Sequence, residues 1–144
     1  MNALTIVILG FVLLETSNVI ALYFFPESKL ANSVGSFRAY ERSKQDPVVH
    51  DFVGYLVNWV AGTKLMFLLL LLVIVFTADT DTLVLTGIAM AVAVASFFWR
   101  LFPLVRRMDA EEQIDPPGYS KLLGLMIAAM VLIFVVATVI TGLA

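Results

Sequence analysis

Residues 65–76 read LMFLLLLLVIVF, an unbroken run of apolar side chains. They lie inside a longer apolar stretch that extends from about residue 52 to about residue 77. A helix needs about 20 mostly apolar residues to cross a membrane, because the hydrocarbon core is about 30 Å thick and each residue rises about 1.5 Å. The stretch therefore predicts a transmembrane helix.

Three further stretches have the same character, at about residues 3–25, 83–105 and 119–143. We expect helices, because a helix satisfies its own backbone hydrogen bonds in lipid and the alternating pattern of a membrane barrel is absent. The first stretch is predicted to be a permanent helix, since it lacks the basic start of a signal peptide and carries Glu15 at its centre. The predicted fold is an all-α, polytopic four-transmembrane-helix bundle, one domain over residues 1–144.

The composition excludes several other classes of protein. Of 144 residues, 61% are hydrophobic and 14% are charged, whereas a soluble domain has about a quarter charged residues. We therefore exclude a soluble domain, a disordered chain and a nucleic-acid binder.

The sequence offers few metal-binding residues. The chain has no cysteine and one histidine, His50. The acidic segment 109–115 is interpreted as a solvated turn rather than a divalent-cation site. We expect neither a metal nor a cofactor.

Basic residues predict the orientation. With four spans, the loops 26–51 and 106–118 lie on one side, and both termini lie on the other with the turn 78–82. Eight of the nine basic residues lie in or beside those two loops: Lys29, Arg38, Arg42, Lys44, Arg100, Arg106, Arg107 and Lys121. By the positive-inside rule, both loops are predicted to be cytoplasmic and both termini outside, in a multi-pass protein of a prokaryotic cytoplasmic membrane.

The loop sequences contain signals for a short helix and for the starts of two helices. Apolar residues recur at helical spacing from Leu30 to Tyr40, which predicts an amphipathic helix over about 28–45 on the cytoplasmic membrane surface. Asp46-Pro47 and Asp115-Pro116 both read as an N-cap followed by proline at the first helical position. The second span is therefore expected to begin near Pro47. Pro103 is expected to disturb the last turn of the third span.

Small residues recur every fourth position in three spans. The rows are Gly54, Asn58 and Gly62; Gly87, Ala91 and Ala95; and Ser120, Gly124 and Ala128. Such rows allow helices to approach closely in lipid. Two explanations of these rows are open: the helices pack closely within one bundle, or they form a homo-oligomer interface.

Two opposite charges are predicted to lie level with each other in the membrane. Glu15 lies about 11 residues before Pro26, and Lys64 lies about 11 residues beyond Val53. These distances place both charges about 16 Å deep on antiparallel neighbouring helices. An isolated carboxylate costs about 2.5–3.5 kcal/mol at that depth, so a Glu15–Lys64 ion pair is the hypothesis.

Two asparagines complete the candidate pathway. Asn18 shares a helix face with Glu15. Asn58 lies on the helix of Lys64 but about 120° around it, so an interhelical hydrogen bond is the alternative for Asn58. In the functional interpretation, Glu15, Asn18, Asn58 and Lys64 line a route for an ion, a proton or a polar solute. The structural alternatives are that the pair fixes helix register, or that Lys64 extends unpaired towards the headgroups. Arg100, Arg106 and Arg107 are candidate ligands for anionic lipid headgroups.

Two families share features with this chain. It resembles the small multidrug resistance transporters in having four helices and one glutamate, Glu15, in the first. It also resembles the four-helix membrane glutathione and eicosanoid enzymes, in which Arg38, Glu41 and Arg42 would belong to the basic first cytoplasmic loop. The first resemblance implies transport and the second implies a membrane enzyme.

The functional prediction is a small oligomeric transporter or channel for an ion or small solute. The alternative is a non-catalytic subunit or assembly partner of a larger membrane complex. A small membrane enzyme comes third, because no phosphate-binding loop, zinc motif or nucleophile set is present. The expected partners are the lipid bilayer and either further copies of the chain or another membrane protein.

Overall fold

The computed structural model describes residues 2–143, so residues 1 and 144 of the predicted domain lie outside it. Every regular element in the described residues is helical. The helices are α1 (Ala3–Phe24), α2 (Arg38–Ser43), α3 (Pro47–Thr77), α4 (Thr80–Ala95), α5 (Phe97–Ala110) and α6 (Tyr119–Leu143), with a 3₁₀ turn at Val34–Ser36. Four helical segments are long and apolar enough to cross a membrane: α1, α3, α4 with α5, and α6. This confirms the four predicted helical stretches.

The start of α3 follows directly from its sequence. The Asp46 carboxylate accepts hydrogen bonds from the backbone N–H groups of Val48 at 3.0 Å and Val49 at 3.3 Å. Pro47 occupies the first turn, where its missing N–H is no loss. The expected start near Pro47 is confirmed, and α3 is five residues longer at this end than the apolar stretch.

The third span is longer than predicted and is interrupted elsewhere than expected. Ser96 separates α4 from α5, but its own φ of −59° and ψ of −21° are helical. The two segments therefore follow one another as a single length of 31 residues. The expectation for Pro103 was wrong, because α5 continues through it to Ala110.

A different residue caps α6 from the one that the sequence predicts. Asp109, near the end of α5, accepts hydrogen bonds from the backbone N–H groups of Gly118 at 3.0 Å and Ser120 at 2.9 Å. The Ser120 hydroxyl donates a third bond to Asp109 at 2.5 Å. Asp115 instead pairs with Lys29. The N-cap prediction for Asp115 was therefore wrong, because the connecting loop brings the last turn of α5 against the start of α6.

Segment 28–45 does not form the single amphipathic helix that the sequence predicts. It contains only the 3₁₀ turn and α2, because Ala31 and Asn32 adopt positive φ values of 53° and 55° and end any helical path. Ser33 and Ser36 are almost fully buried, and their hydroxyls donate to backbone carbonyls of residues 25, 26 and 29. We call residues 26–36 the folded-back loop.

The spanning helices pack as two pairs. α1 lies against α3, α4 lies against α6, and contacts between α1 and α6 join the pairs. The main apolar core includes Leu4 and Ile8 of α1, Leu71 of α3, Met90 of α4 and Phe134 of α6. A smaller cluster of Leu22, Val57 and Ala61 lies towards the folded-back loop. α3 and α4 touch little although they are consecutive.

Two of the predicted small-residue rows are used inside the bundle. A Cβ atom on Gly87 would lie 2.8 Å from Leu4 Cδ2, and one on Gly124 would lie 2.7 Å from Phe102 Cε2. These distances are too short for a side chain, so glycine permits the approach of α1 to α4 and of α5 to α6. In the third row, Gly54 has open space around its Cβ position, whereas a Cβ atom on Gly62 would lie 3.2 Å from the Tyr23 hydroxyl oxygen.

Candidate functional site

The predicted ion pair is formed. Lys64 Nζ lies 2.5 Å from Glu15 Oε2, joining α3 to α1. Along α1, Glu15 lies between the core residues Val12 and Val19, and along α3, Lys64 lies between Ala61 and Leu68. The side chains are 22% and 32% exposed for Glu15 and Lys64, respectively. The pair is therefore flanked by apolar packing but keeps access to the space beside it.

Asn18 completes this cluster, as its position on the face of Glu15 predicts. Its Oδ1 accepts a second hydrogen bond from Lys64 Nζ at 2.6 Å. Its Nδ2 donates to the backbone carbonyls of Ala31 at 2.5 Å and Asn32 at 3.1 Å. One buried amide thus links the ion pair to the tip of the folded-back loop. We call Glu15, Asn18 and Lys64 the polar triad.

The folded-back loop reaches the triad because its sequence favours tight turns. Ala31 and Asn32 are left-handed, and asparagine tolerates that conformation better than most residues. Gly35 packs directly on the backbone of Glu27, where any side chain would collide. These features turn the carbonyls at the tip back towards α1.

The two long loops meet at this end of the bundle. Phe37 and Ile114 form an isolated antiparallel bridge. Arg38 N–H donates to the Gln113 carbonyl at 2.9 Å, and Asp115 N–H donates to the Ser36 carbonyl at 2.9 Å. The Lys29–Asp115 ion pair and a hydrogen bond from the Tyr119 hydroxyl to Asn32 Oδ1 add further links. We call this the loop end of the bundle.

Outside the spanning helices, ion pairing shifts two pKa values. A hydrogen bond from Lys29 lowers the pKa of the Asp115 carboxyl, and the positive charge of Lys29 lowers it further. Hydrogen bonds from Lys44 to Glu27 and Glu41 raise the pKa of the lysine. Both effects favour the charged forms that hold the loop end together.

A half-open cavity of about 630 Å³ lies beside the triad, and several of its apolar wall residues, among them Leu122 and Met126, are exposed. Glu15, Asn18 and Lys64 contribute to its wall, together with Lys29, Asn32 and Tyr119 from the loop end. The remaining wall is almost wholly apolar and comes from all four spanning segments, for example Phe11, Phe67, Phe97, Leu122 and Met126. The site therefore combines one polar region with a larger apolar one.

The other predicted site residues lie apart from the triad. Asn58 is exposed and donates to the Gly54 carbonyl of its own helix at 2.8 Å. The structure therefore does not bring Asn58 to Glu15 and Lys64. Arg100, Arg106 and Arg107 are exposed on α5, and the ion pairs among residues 2–143 do not include them. Their role in binding lipid headgroups stays a prediction.

Sequence reasoning missed three cavity residues, Lys29, Asn32 and Tyr119. They belong to segments that are distant in the sequence and meet only when the folded-back loop is in place. The placement of Tyr119 at the start of the fourth span was a partial signal. The contact with Asn32 depends on backbone turns that no periodicity reveals.

Comparisons of the chain with protein-family models, with curated proteins and with solved structures find no match.

Proposed function

We propose that this chain is a small multi-pass membrane transporter whose solute site is the cavity beside the polar triad. The observation that carries the proposal is an ion pair between two apolar helices that opens onto a space of about 630 Å³. Ionisable residues at membrane depth are costly and characteristically belong to transport pathways. A cavity of this size also suits a small molecule better than a single ion.

The depths of Glu15 and Lys64 along their helices support a site within the membrane. Glu15 lies about 18 Å from the start of α1 at Ala3, and Lys64 lies about 20 Å from the end of α3 at Thr77. Measured from the same end of the bundle, the two charges are thus level within about 2 Å. Within a hydrocarbon core of about 30 Å, both would lie near the midplane.

The proposed topology places the loop end in the cytoplasm. Eight of nine basic residues lie in or beside the loops 26–51 and 106–118, and these loops contact each other. The other side carries both termini and the turn 78–82. In this arrangement the folded-back loop and α2 lie at the cytoplasmic surface, and the cavity lies just above them. A cytoplasmic solute would meet the folded-back loop before the triad.

The central experiment is translocation in proteoliposomes. The panel contains protons, potassium, and three amphiphiles with the same ten-carbon chain: decyl glucoside, decyl phosphate and decyltrimethylammonium. We expect protein-dependent movement of at least one panel member. Ala93→Phe, which fills the cavity wall, should abolish this movement, and Ala89→Phe, on the same helix but outside the wall, should preserve it.

Two results would overturn the proposal. One is a folded, reconstituted protein that moves no member of the panel. The other is an equal loss of movement in Ala93→Phe and Ala89→Phe, which would mean that the solute does not pass through the cavity.

The assembly state is tested separately by native mass spectrometry from mild detergent. We expect a homo-oligomer, since Gly54 belongs to a row of small residues and no neighbouring atom of residues 2–143 lies within 4 Å of its Cβ position, which leaves this face free for close packing with a second copy. Stoichiometric recovery of a different membrane protein would instead favour a subunit of a larger complex.

A further inference from the structure

The wall of the cavity is divided by polarity, and this division defines the kind of molecule that fits. Phenylalanine, leucine and methionine side chains from α1, α3, α5 and α6 form most of the surface. Most of the polar side chains belong to the triad and to the loop end: Glu15, Asn18, Lys29, Asn32, Lys64 and Tyr119. Ser17 and Ser96 also line the wall, and their hydroxyls donate to the nearby backbone carbonyls of Leu14 and Ala93. An apolar chain or ring fits the first region because burying apolar surface is favourable. A polar head fits the second.

The charges around the cavity are balanced. Lys64 is paired with Glu15, and Lys29 is paired with Asp115. A charged head placed here would add a net charge to a neutral, largely apolar site, and an unpaired charge in such surroundings is expensive. The charge balance therefore favours an uncharged head.

The triad retains hydrogen-bonding capacity of both kinds. Lys64 Nζ donates to Glu15 and Asn18, and an ammonium group has three N–H donors. Glu15 receives Lys64 through Oε2, and its Oε1 remains able to accept. A hydroxyl group both donates and accepts, so it can bond to both residues without displacing either.

We propose that the cavity binds an uncharged amphipathic molecule with an apolar chain or ring and a hydroxyl-bearing head. The apolar portion lies among the aromatic, leucine and methionine side chains, and the head lies at the triad. This inference rests on the proposed function only in taking the cavity as the solute site, because binding does not require translocation.

Competitive photolabelling tests the proposal directly. A decyl glucoside analogue with a diazirine in its chain is irradiated with the protein in nanodiscs, and labelled residues are mapped by mass spectrometry. We expect labelling at cavity residues such as Leu122 and Met126. Unlabelled decyl glucoside should reduce this labelling at least tenfold more effectively than decyl phosphate or decyltrimethylammonium at equal mole fraction in the lipid.

Matched variants separate specific binding from partition into lipid. Ala93→Phe should reduce cavity labelling about tenfold, and Ala89→Phe should leave it unchanged. Glu15→Gln leaves Lys64 in excess and should shift the preference to decyl phosphate. Lys64→Met leaves Glu15 in excess and should shift it to decyltrimethylammonium.

The outcomes distinguish this proposal from the proposed function. Selective labelling without translocation would support the ligand class and contradict transport. Translocation with equal competition by all three heads, or with the charged heads competing best, would contradict the ligand class and leave transport standing. Uniform labelling of exposed helix faces, unaffected by Ala93→Phe, would also overturn the ligand class.

Discussion

Asn18 is a buried amide whose two ends serve different parts of the molecule. Its oxygen accepts from Lys64, and its nitrogen donates to the carbonyls of Ala31 and Asn32. A leucine at this position would fill similar space but remove one acceptor of Lys64 and the donor to both carbonyls. Leaving a buried polar group without its partner costs about 1–3 kcal/mol.

We therefore predict that Asn18→Leu destabilises the protein by about 2–3 kcal/mol and loosens the folded-back loop. Unfolding in nanodiscs measures the stability, and the rate of tryptic cleavage after Lys29 measures access to the loop. Asn58→Leu is the matched control, because Asn58 is exposed and bonds only within its own helix. Equal effects from the two substitutions would show that the link from Asn18 to the loop is unimportant.

At the scale of a helix, α6 depends on a cap supplied by α5. Three hydrogen bonds reach the Asp109 carboxylate from Gly118 and Ser120. A carboxylate at a helix N-terminus satisfies unpaired N–H groups and complements the helix dipole. Asp109 thus fixes the start of the helix that supplies Tyr119 and Met126 to the cavity.

Asp109→Ala should destabilise the protein by about 1–2 kcal/mol, since loss of an N-cap costs about that much. Glu111→Ala is the control, because Glu111 is exposed and bonds only to Gln113 nearby. Thermal unfolding in mild detergent, followed by circular dichroism, compares the two. A larger loss from Glu111→Ala would contradict the assignment of Asp109 as the cap.

Close helix packing makes a second prediction at this scale. Gly87→Leu should destabilise the protein by about 1–3 kcal/mol or more, because the new side chain would collide with Leu4 and Thr138. Gly10→Leu is the control, since the Cβ position of Gly10 has no neighbouring atom within 4 Å. Denaturant unfolding compares the two variants. If both are tolerated equally, the approach of α1, α4 and α6 at Gly87 is looser than described.

At the scale of the whole molecule, the loop end joins the helix pairs through groups that titrate. The folded pKa of Asp115 lies below the ordinary aspartate value of about 4 because Lys29 stabilises its charged form. The folded protein therefore binds fewer protons than the unfolded chain between those two values. The contribution of Asp115 to stability is complete above about pH 4 and is lost as the pH falls through the folded pKa.

We predict that acid loosens the contact between the two loops as the pH falls from about 4 through the folded pKa of Asp115. Spin labels at Ala39→Cys and Ala110→Cys, both exposed positions in a chain without native cysteine, measure the distance between them by electron paramagnetic resonance. Asp115→Asn should already show part of the separation at neutral pH. A distance distribution at neutral pH that is the same in Asp115→Asn as in the protein with Asp115 would contradict the prediction.

The sequence predicts the parts of this molecule that depend on local composition and spacing. Hydropathy locates the four spanning segments, Asp46-Pro47 locates the start of α3, and equal depth pairs Glu15 with Lys64. Placing a charge or an unpaired backbone group in lipid has a high free-energy cost. This cost applies to each segment on its own, so these features can be predicted one segment at a time.

The remaining features depend on contacts between segments that are distant in the sequence. The turn at Ala31 and Asn32 is held by Asn18, and the cap of α6 comes from Asp109 on another helix. Helical spacing already places Asn58 away from Lys64, but the hydrogen bond that Asn58 makes is to Gly54 of its own helix and not to a neighbouring helix. The spacing of residues in the sequence therefore does not predict these contacts. It does not predict the cavity either, because the cavity depends on how the helices pack.

The central claim is that Glu15 and Lys64 stabilise each other between α1 and α3. The most direct measurement is a double-mutant cycle of unfolding free energies in nanodiscs, using Glu15→Gln, Lys64→Met and both together. Each single variant should lose about 2.5–3.5 kcal/mol by leaving one charge uncompensated, and the double variant should recover much of that loss, with a coupling energy of at least about 1.5 kcal/mol. Additive losses, with a coupling energy near zero, would contradict the ion pair and remove the basis for the proposed site.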